Sequence, residues 1–325
     1  MNRAGYDLVT LGESMWRLSA PGHERLSAAR SLDLQIGGAE SNMAIALARL
    51  GKRVAWWSRL PDNALGENLL RTLRSHGVDI SGVRLDASAD ARLGTYFIEF
   101  GSAPRPTRVI YDRARSAASQ MQPEDFDWSM LQHTRHLHLS GITPALSASC
   151  LETVRRAIRE ARDAGTHVTF DLNYRERLWC WERCRPIMDE LAAASDLVIC
   201  AARDARSLLE SEAEAASLAR ALNRRWQGPV TVITAGSDDT LAWDGSSLVS
   251  SPAFVDVQIV DRIGAGDAFA AGLHCALLDG RPLQEALRHG NAVAALKLGM
   301  AGDIALVNCA EVAELLDAGG GEIRR

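Results

Sequence analysis

Cysteine is sparse: six residues in a chain of 325, at positions 150, 180, 184, 200, 275 and 309. Spread this thinly, they do not form the dense framework of a small secreted domain, and reduced thiols are expected. Cys180 and Cys184 stand close together in LWCWERC, but no second ligand pair lies at zinc-like spacing, so they read as helix-face thiols. Basic runs are missing too. Lys plus Arg total 36 against 41 Asp plus Glu, a net charge of −5, which argues against a nucleic-acid partner. Long apolar runs are also absent. The opening MNRAGYDLVTLGE has no leader-like apolar centre, and no later window reaches the length of a spanning helix. A cytoplasmic setting without membrane contact is therefore expected. With no internal repeat, no low-complexity stretch and no linker rich in Pro, Gly or Ser, residues 1–325 read as one domain. A homo-oligomer is compatible with all of this.

What is present is an ordinary globular composition, 47% hydrophobic and 24% charged, in a chain long enough for one large α/β domain with an appendage. Tyr6 to Leu11 is a β-rich apolar run ending at Gly12. Ala39 to Leu50 has helical spacing, stops at Gly51 and leads into the strand-like Val54 to Trp57. The same rhythm returns in Leu137 to Leu139, the helix Ser147 to Ala164 closed by Gly165, and the strand His167 to Leu172. Leu197 to Cys200 and Val230 to Thr234 continue it. Strands alternating with helices predict right-handed crossovers and a mainly parallel sheet with helices on both faces. Two stretches, about 13–36 and 92–115, lack helical spacing and carry aromatic and β-branched residues in GTYFIEF and TRVIYD. They predict a small β-sheet lid.

The segment with most chemistry is DRIGAGDAFAAG, Asp261 to Gly272. Gly264 and Gly266 flank Ala265 and let the backbone approach a ligand, and the helix that follows turns unpaired N–H groups towards an anion. Asp267, in its first turn, is placed to accept a proton from an attacking hydroxyl beside a phosphoryl group. On these residues alone, a plain helix-start carboxylate is an equally good reading of Asp267. His133, His136 and His138 suggest a metal, yet 136 and 138 share a strand face, 133 precedes it and no carboxylate joins them, so packed histidines are the better reading. Trp56, Trp57, Trp179 and Trp181 read as core or lid packing.

GAGDAFAAG after an aspartate and an apolar position resembles the signature of the ribokinase-like (PfkB-type) carbohydrate kinases. Gly37-Gly38-Ala39-Glu40-Ser41-Asn42 before a helix is similar to that family's sugar-binding motif, as are Ser58-Arg59-Leu60 with Asp62 and Gly66, and Gly302-Asp303. LHLSGITPALS (Leu137 to Ser147) and Phe170 to Arg175 followed by Leu178-Trp179 resemble the 2-keto-3-deoxygluconate kinase branch most. The resemblance runs from about residue 7 to about 305. It implies ATP-dependent phosphorylation of a sugar-acid hydroxyl, with Asp267 as general base and Gly264, Ala265 and Gly266 as the anion hole. It implies a substrate held by Gly37, Gly38, Asn42, Tyr96, Tyr111, Arg113 and Arg175. Nucleotide would lie near Thr234, Gly236, Gly264, Gly266 and Asn291, and Mg²⁺ near Asp204. Guanidinium forks also suit a carboxylate on chemical grounds. Alternatives are a kinase for fructose, a nucleoside or another aldonic acid, or a non-catalytic sugar-acid-binding relative.

The nucleotide side departs from the family pattern. Ala201-Ala202-Arg203-Asp204 stands where Asn-x-x-Glu is usual, Gly236-Ser237-Asp238-Asp239 where Gly-x-x-Gly is usual, Arg262 where Thr is usual, and Pro61 where Gly is usual. Weak ATP and metal affinity is the expectation.

Overall fold

The computed structural model describes residues 5–236 and 238–318. Ser237 of the expected phosphate turn lies outside the described residues. The chain opens with β1 (Leu8–Leu11), β2 (Met15–Ser19), β3 (Asp33–Gly37), α1 (Ala39–Arg49), β4 (Val54–Pro61) and α2 (Ala64–Ser75). It continues through β5 (Val83–Asp86), β6 (Thr95–Glu99), β7 (Arg108–Asp112), β8 (His136–Ser140), α3 (Thr143–Leu146), α4 (Ala148–Ala164) and β9 (His167–Asp171). Then come α5 (Trp181–Ala193), β10 (Leu197–Ala201), α6 (Ala202–Leu209), α7 (Ala215–Arg225), β11 (Val230–Thr234), β12 (Thr240–Trp243) and β13 (Leu248–Ser251). The last elements are α8 (Ala265–Leu278), α9 (Leu283–Leu298) and α10 (Cys309–Ala318).

Side-chain alternation explains the layers. Leu8, Trp56, Ile199 and Val232 join one buried cluster with α1, α2, α8 and α9, while their neighbours Val9, Trp57, Val198 and Ile233 join another with α4, α5 and α7. Strands apolar on both faces can be satisfied only between two helix layers, and each fully buried large side chain contributes about 1.5–3 kcal/mol. The resulting sheet has the order β13-β12-β11-β10-β9-β8-β1-β4-β5. It is parallel from β11 to β5, and β12 and β13 add an antiparallel edge. This is the α/β arrangement expected from the sequence. The two irregular stretches supply a separate four-stranded sheet, β3-β2-β6-β7, in which β2 and β6 pair in parallel and the outer pairs are antiparallel.

The strand order reverses at β1, which lies between β8 and β4 although the chain reaches β4 first. Open α/β sheets bind ligands at such a reversal, beyond the carboxyl ends of the strands.

Candidate active site

The carboxyl ends of the parallel strands open into a cavity of about 450 Å³, walled by Glu13 after β1, Asp171 at the end of β9, Ala201 at the end of β10 and Thr234 at the end of β11. The four-stranded sheet covers it with Tyr96, Tyr111 and Arg113. Gly37, Gly38 and Asn42 at the β3–α1 junction, and Gly264, Gly266 and Asp267 at the start of α8, close the wall. Arg175, Asp204 and Arg262 also line it. Of the residues expected from the sequence, Ala265, Gly236 and Asn291 are not in this wall. Asn291 is buried in α9 and spends its amide on Thr240, Ser251 and Pro252, tying the antiparallel edge to the helix.

The loop before α8 is shaped by close approach. Gly264 has φ 84°, in the left-handed region, and a side chain there would meet the carbonyl oxygen of Asp303 at 1.9 Å. Only glycine satisfies both demands. Because α8 begins at Ala265, the N–H groups of its first turn lack partners within the helix and face the cavity end. Gly37 is equally constrained, since a Cβ there would lie 2.0 Å from the Tyr96 hydroxyl.

Asp267 Oδ2 accepts from Asn42 Nδ2 at 2.8 Å, which links the two glycine motifs across 225 residues of sequence. Burial pushes the Asp267 carboxyl up to about 7, although the Asn42 bond and Arg175 pull the other way. Asp171 is also pushed up to about 7, first by burial and then by the charge of Asp267. Asp204 is buried and raised by burial, opposed by Arg203, whose Nε donates to Asp204 Oδ1 at 3.1 Å. Glu40, fully enclosed in the first turn of α1, accepts from Ser140 Oγ at 2.7 Å and Thr143 Oγ1 at 2.9 Å, and burial raises its carboxyl too. Its head group explains Gly12, where a Cβ would meet the carboxyl carbon at 2.2 Å. Holding this many carboxyls together is unfavourable, and partial protonation relieves it.

The two expected carboxylate-binding arginines differ. Arg113 donates Nε to Glu13 Oε2 at 2.7 Å and Nη2 to the same oxygen, so its charge is compensated inside the wall. Arg175 is exposed in the loop after β9 and has no ion-pair partner among the described residues. Tyr96, stacked on Tyr111 with centroids 5.7 Å apart, donates its hydroxyl to Asp303 Oδ2 at 2.6 Å.

Behind the anion loop lies a buried network that sequence reasoning missed. Arg17 of β2 pairs with Asp303 and, at 2.6 Å, with Asp261 Oδ2. Asp261 Oδ1 accepts from the Ile263 N–H at 3.0 Å, and Lys297 Nζ donates to the Asp261 carbonyl at 2.8 Å. The partners lie 244 and 286 positions from Arg17, and no local pattern signals them. Asp261 and Asp303 were visible in quoted motifs, but their common cation was not.

His136 and His138 face α8, where His136 Nδ1 and His274 Nδ1 stand 3.1 Å apart, while His133 is exposed before the strand. Burial pushes His136 and His138 down to about 3 and His274 well below its ordinary value, so the group is neutral packing between helix and sheet. Trp56 and Trp57 are core residues, Trp179 is buried, and Trp181 stacks on Tyr174 at 3.9 Å.

A layered sheet with its glycine-bounded cavity and accessory sheet defines a ribokinase-like α/β enzyme. Residues 6–308 match the pfkB family of carbohydrate kinases, and the chain belongs to that family. It is similar to a 2-dehydro-3-deoxygalactonokinase of Haloferax volcanii, with 43% identity over 98% of this chain and 99% of the relative. A 2-dehydro-3-deoxygluconokinase of Bacillus subtilis is 31% identical over 92% of this chain and 91% of its own length. The crystal structure of a 2-dehydro-3-deoxygluconokinase from Thermotoga maritima superimposes with a TM-score of 0.89 at 33% identity, covering 95% of this chain and 99% of that one. The protein is thus a sugar kinase.

Proposed function

We propose that the protein transfers the γ-phosphoryl group of ATP to the C6 hydroxyl of a six-carbon 2-keto-3-deoxy sugar acid. The first candidate is 2-keto-3-deoxygluconate, the same compound as the 2-dehydro-3-deoxygluconate of the Bacillus and Thermotoga relatives' names. The observation that carries this reading is the polarity of the cavity. At one end Asp267, with its raised carboxyl, sits beside the N–H groups at the start of α8; Arg175, also in the wall, has no ion-pair partner among the described residues. An acid substrate satisfies both at once, with its carboxylate on Arg175 and its far hydroxyl at Asp267.

In this reading Asp267 takes the hydroxyl proton as the oxygen attacks. Asn42 holds that carboxyl in place. The α8 N-terminus and the Gly264–Gly266 loop stabilise charge on the transferred group, the chief requirement of phosphoryl transfer. Gly37, Gly38 and Tyr111 shape the sugar site, Arg113 supports it from its pair with Glu13, and the four-stranded sheet acts as the lid that excludes water. ATP lies towards Thr234 and Gly236. The donors near the phosphates, Asp171, Asp204 and Asp267, are all oxygens, which suits Mg²⁺. Among the described residues no three acidic, His or Cys side chains are placed to hold one ion, so Mg²⁺ would be held mainly by phosphates and water. When bound, it neutralises phosphate charge. A cytoplasmic setting, where ATP is supplied, belongs to this reading.

A second reading is the C4 epimer, 2-keto-3-deoxygalactonate. It is favoured by the 43% identity to the Haloferax kinase. ADP release measured against both 2-keto-3-deoxy acids, gluconate and fructose tests the reading. Turnover of either keto acid far above the others is expected. Turnover of fructose alone would overturn it.

A further inference from the structure

Beside the active-site cavity lies a second one, of about 660 Å³, which shares Tyr111, Arg113, Arg175, Arg203 and Asp204 with the first. Its own wall adds Arg115, from the chain after β7, and Glu176 and Arg177, from the loop after β9. Arg113 is compensated by Glu13 and Arg203 by Asp204. Arg115, Arg175 and Arg177 have no ion-pair partner among the described residues, and Glu176 is the one lining carboxylate left to oppose them. A substrate carboxylate on Arg175 therefore still leaves Arg115 and Arg177 facing a roomy cavity. In a protein of net charge −5 this positive lining is a local feature.

Two details indicate that these side chains are used. Arg177 Nη1 donates to the Val109 carbonyl of β7 at 2.6 Å, which fixes its head group at the rim. Arg115 holds φ 53°, in the left-handed region where glycine is the unstrained choice. Backbone strain kept beneath a charged side chain that lines a cavity points to a role for that side chain.

We infer that the outer cavity is a second anion site, for a small organic molecule carrying both a carboxylate and a phosphate monoester. Guanidinium forks on separate loops match those two groups. This is the chemical class of the proposed reaction's own product. The inference rests on the proposed function only in giving Arg175 to the substrate carboxylate.

The test uses 2-phosphoglycolate as probe and isothermal titration calorimetry of the whole protein, with a non-hydrolysable ATP analogue present to fill the phosphate loop. No turnover is needed, so failure here is separate from failure of the kinase assay. Saturable binding is expected, weakened about tenfold or more by Arg115→Gly and again by Arg177→Met. Arg115→Gly relieves the backbone, so loss of binding cannot be assigned to misfolding, and kcat and KM for the sugar acid should stay unchanged. Equal affinity in native protein and Arg115→Gly, or no saturable heat up to about 10 mM probe, would overturn the inference.

Discussion

On the proposed reading, the acceptor side and the nucleotide side of the site are built differently. At the acceptor end side-chain bonds of 2.8 Å or less join Asn42 to Asp267 and, as a separate group, Tyr96, Asp303, Arg17 and Asp261, and all but Asp267 are buried. On the nucleotide side Arg262, in the cavity wall, and Gly236, Asp238 and Asp239, outside it, are exposed, and no ion pair ties them down among the described residues. The acceptor hydroxyl must be aligned closely because attack geometry sets the rate. A nucleotide brings its own charge and metal, so a looser surface can hold it. Of the departures from the family pattern, Asp239 and Arg262 fall at this exposed end, whereas Asp204 and Pro61 are buried.

Breaking the tight end at its reacting group should have the largest effect. Asp267→Asn keeps the helix start and removes the proton acceptor, and kcat should fall roughly 10³–10⁴-fold with substrate affinity retained. Near-native turnover at saturation would remove Asp267 from the chemistry. On the proposed mechanism only ionised Asp267 accepts the proton, so kcat/KM should rise with pH through about 7 and then level. The sign for stability is opposite. A carboxyl raised above its unfolded value stabilises below that unfolded value, and the contribution is lost as pH rises through about 7. Asp267→Asn should therefore be more stable than the native protein at pH 8, by about 1–2 kcal/mol after allowance for cavity water. Urea unfolding would show this.

Next in size is the buried brace. Arg17→Met leaves Asp261 and Asp303 uncompensated and should cost about 3–5 kcal/mol in urea unfolding. A loss below about 1 kcal/mol would mean that the brace is no stiffer than a surface pair. Smaller again is Arg175→Met, which should weaken the acid substrate by about 1.5–3 kcal/mol and leave a neutral analogue unchanged. Arg113→Met provides the contrast: it strands Glu13, so acid and neutral ligands should suffer alike. Equal behaviour of the two variants would erase the distinction between them.

The smallest effect is expected at the loose end. Restoring the family pattern with Ala201→Asn, Asp204→Glu and Asp239→Gly should tighten ATP by about 1 kcal/mol, since Asp239 is exposed and its repulsion is screened. Separate titrations of ATP and Mg²⁺ would measure it. A gain above about 100-fold would show that the nucleotide end is as exacting as the other.

Local chemistry made much of this molecule legible in advance. Val230 to Thr234 is a strand over the expected residues, and the helix read from Ser147 begins at Ala148, with Ser147 as its cap accepting from the Cys150 N–H. Gly264 and Gly266 read as sites of close backbone approach to a ligand; in the structure Gly264 is instead pressed against the Asp303 carbonyl, and Gly266 has open space around it. What was not legible depends on distant partners. Nothing near Arg113 distinguishes a substrate ligand from a residue paired with Glu13, and nothing near Asn291 shows that its amide is spent on β13 and its flank. Asp171 lay in a quoted motif, but its raised carboxyl arises from burial and from Asp267, which only the fold brings near.

Arg17 has one further consequence, for mechanics. It belongs to the covering sheet, yet both its ion-pair partners belong to the floor around the anion loop. Strand β2 is therefore riveted at its middle, while β7 forms the free edge of that sheet, latched to the body through Arg177. Opening by rotation of the whole cover would have to break a buried ion triad. Peeling of β7 alone leaves both that triad and the bond from Tyr96 of β6 to Asp303 in place. Amide exchange should be slow along β2 and fast along β7 in the absence of substrate, and a uniform rate across the four strands would show that the rivet carries no load.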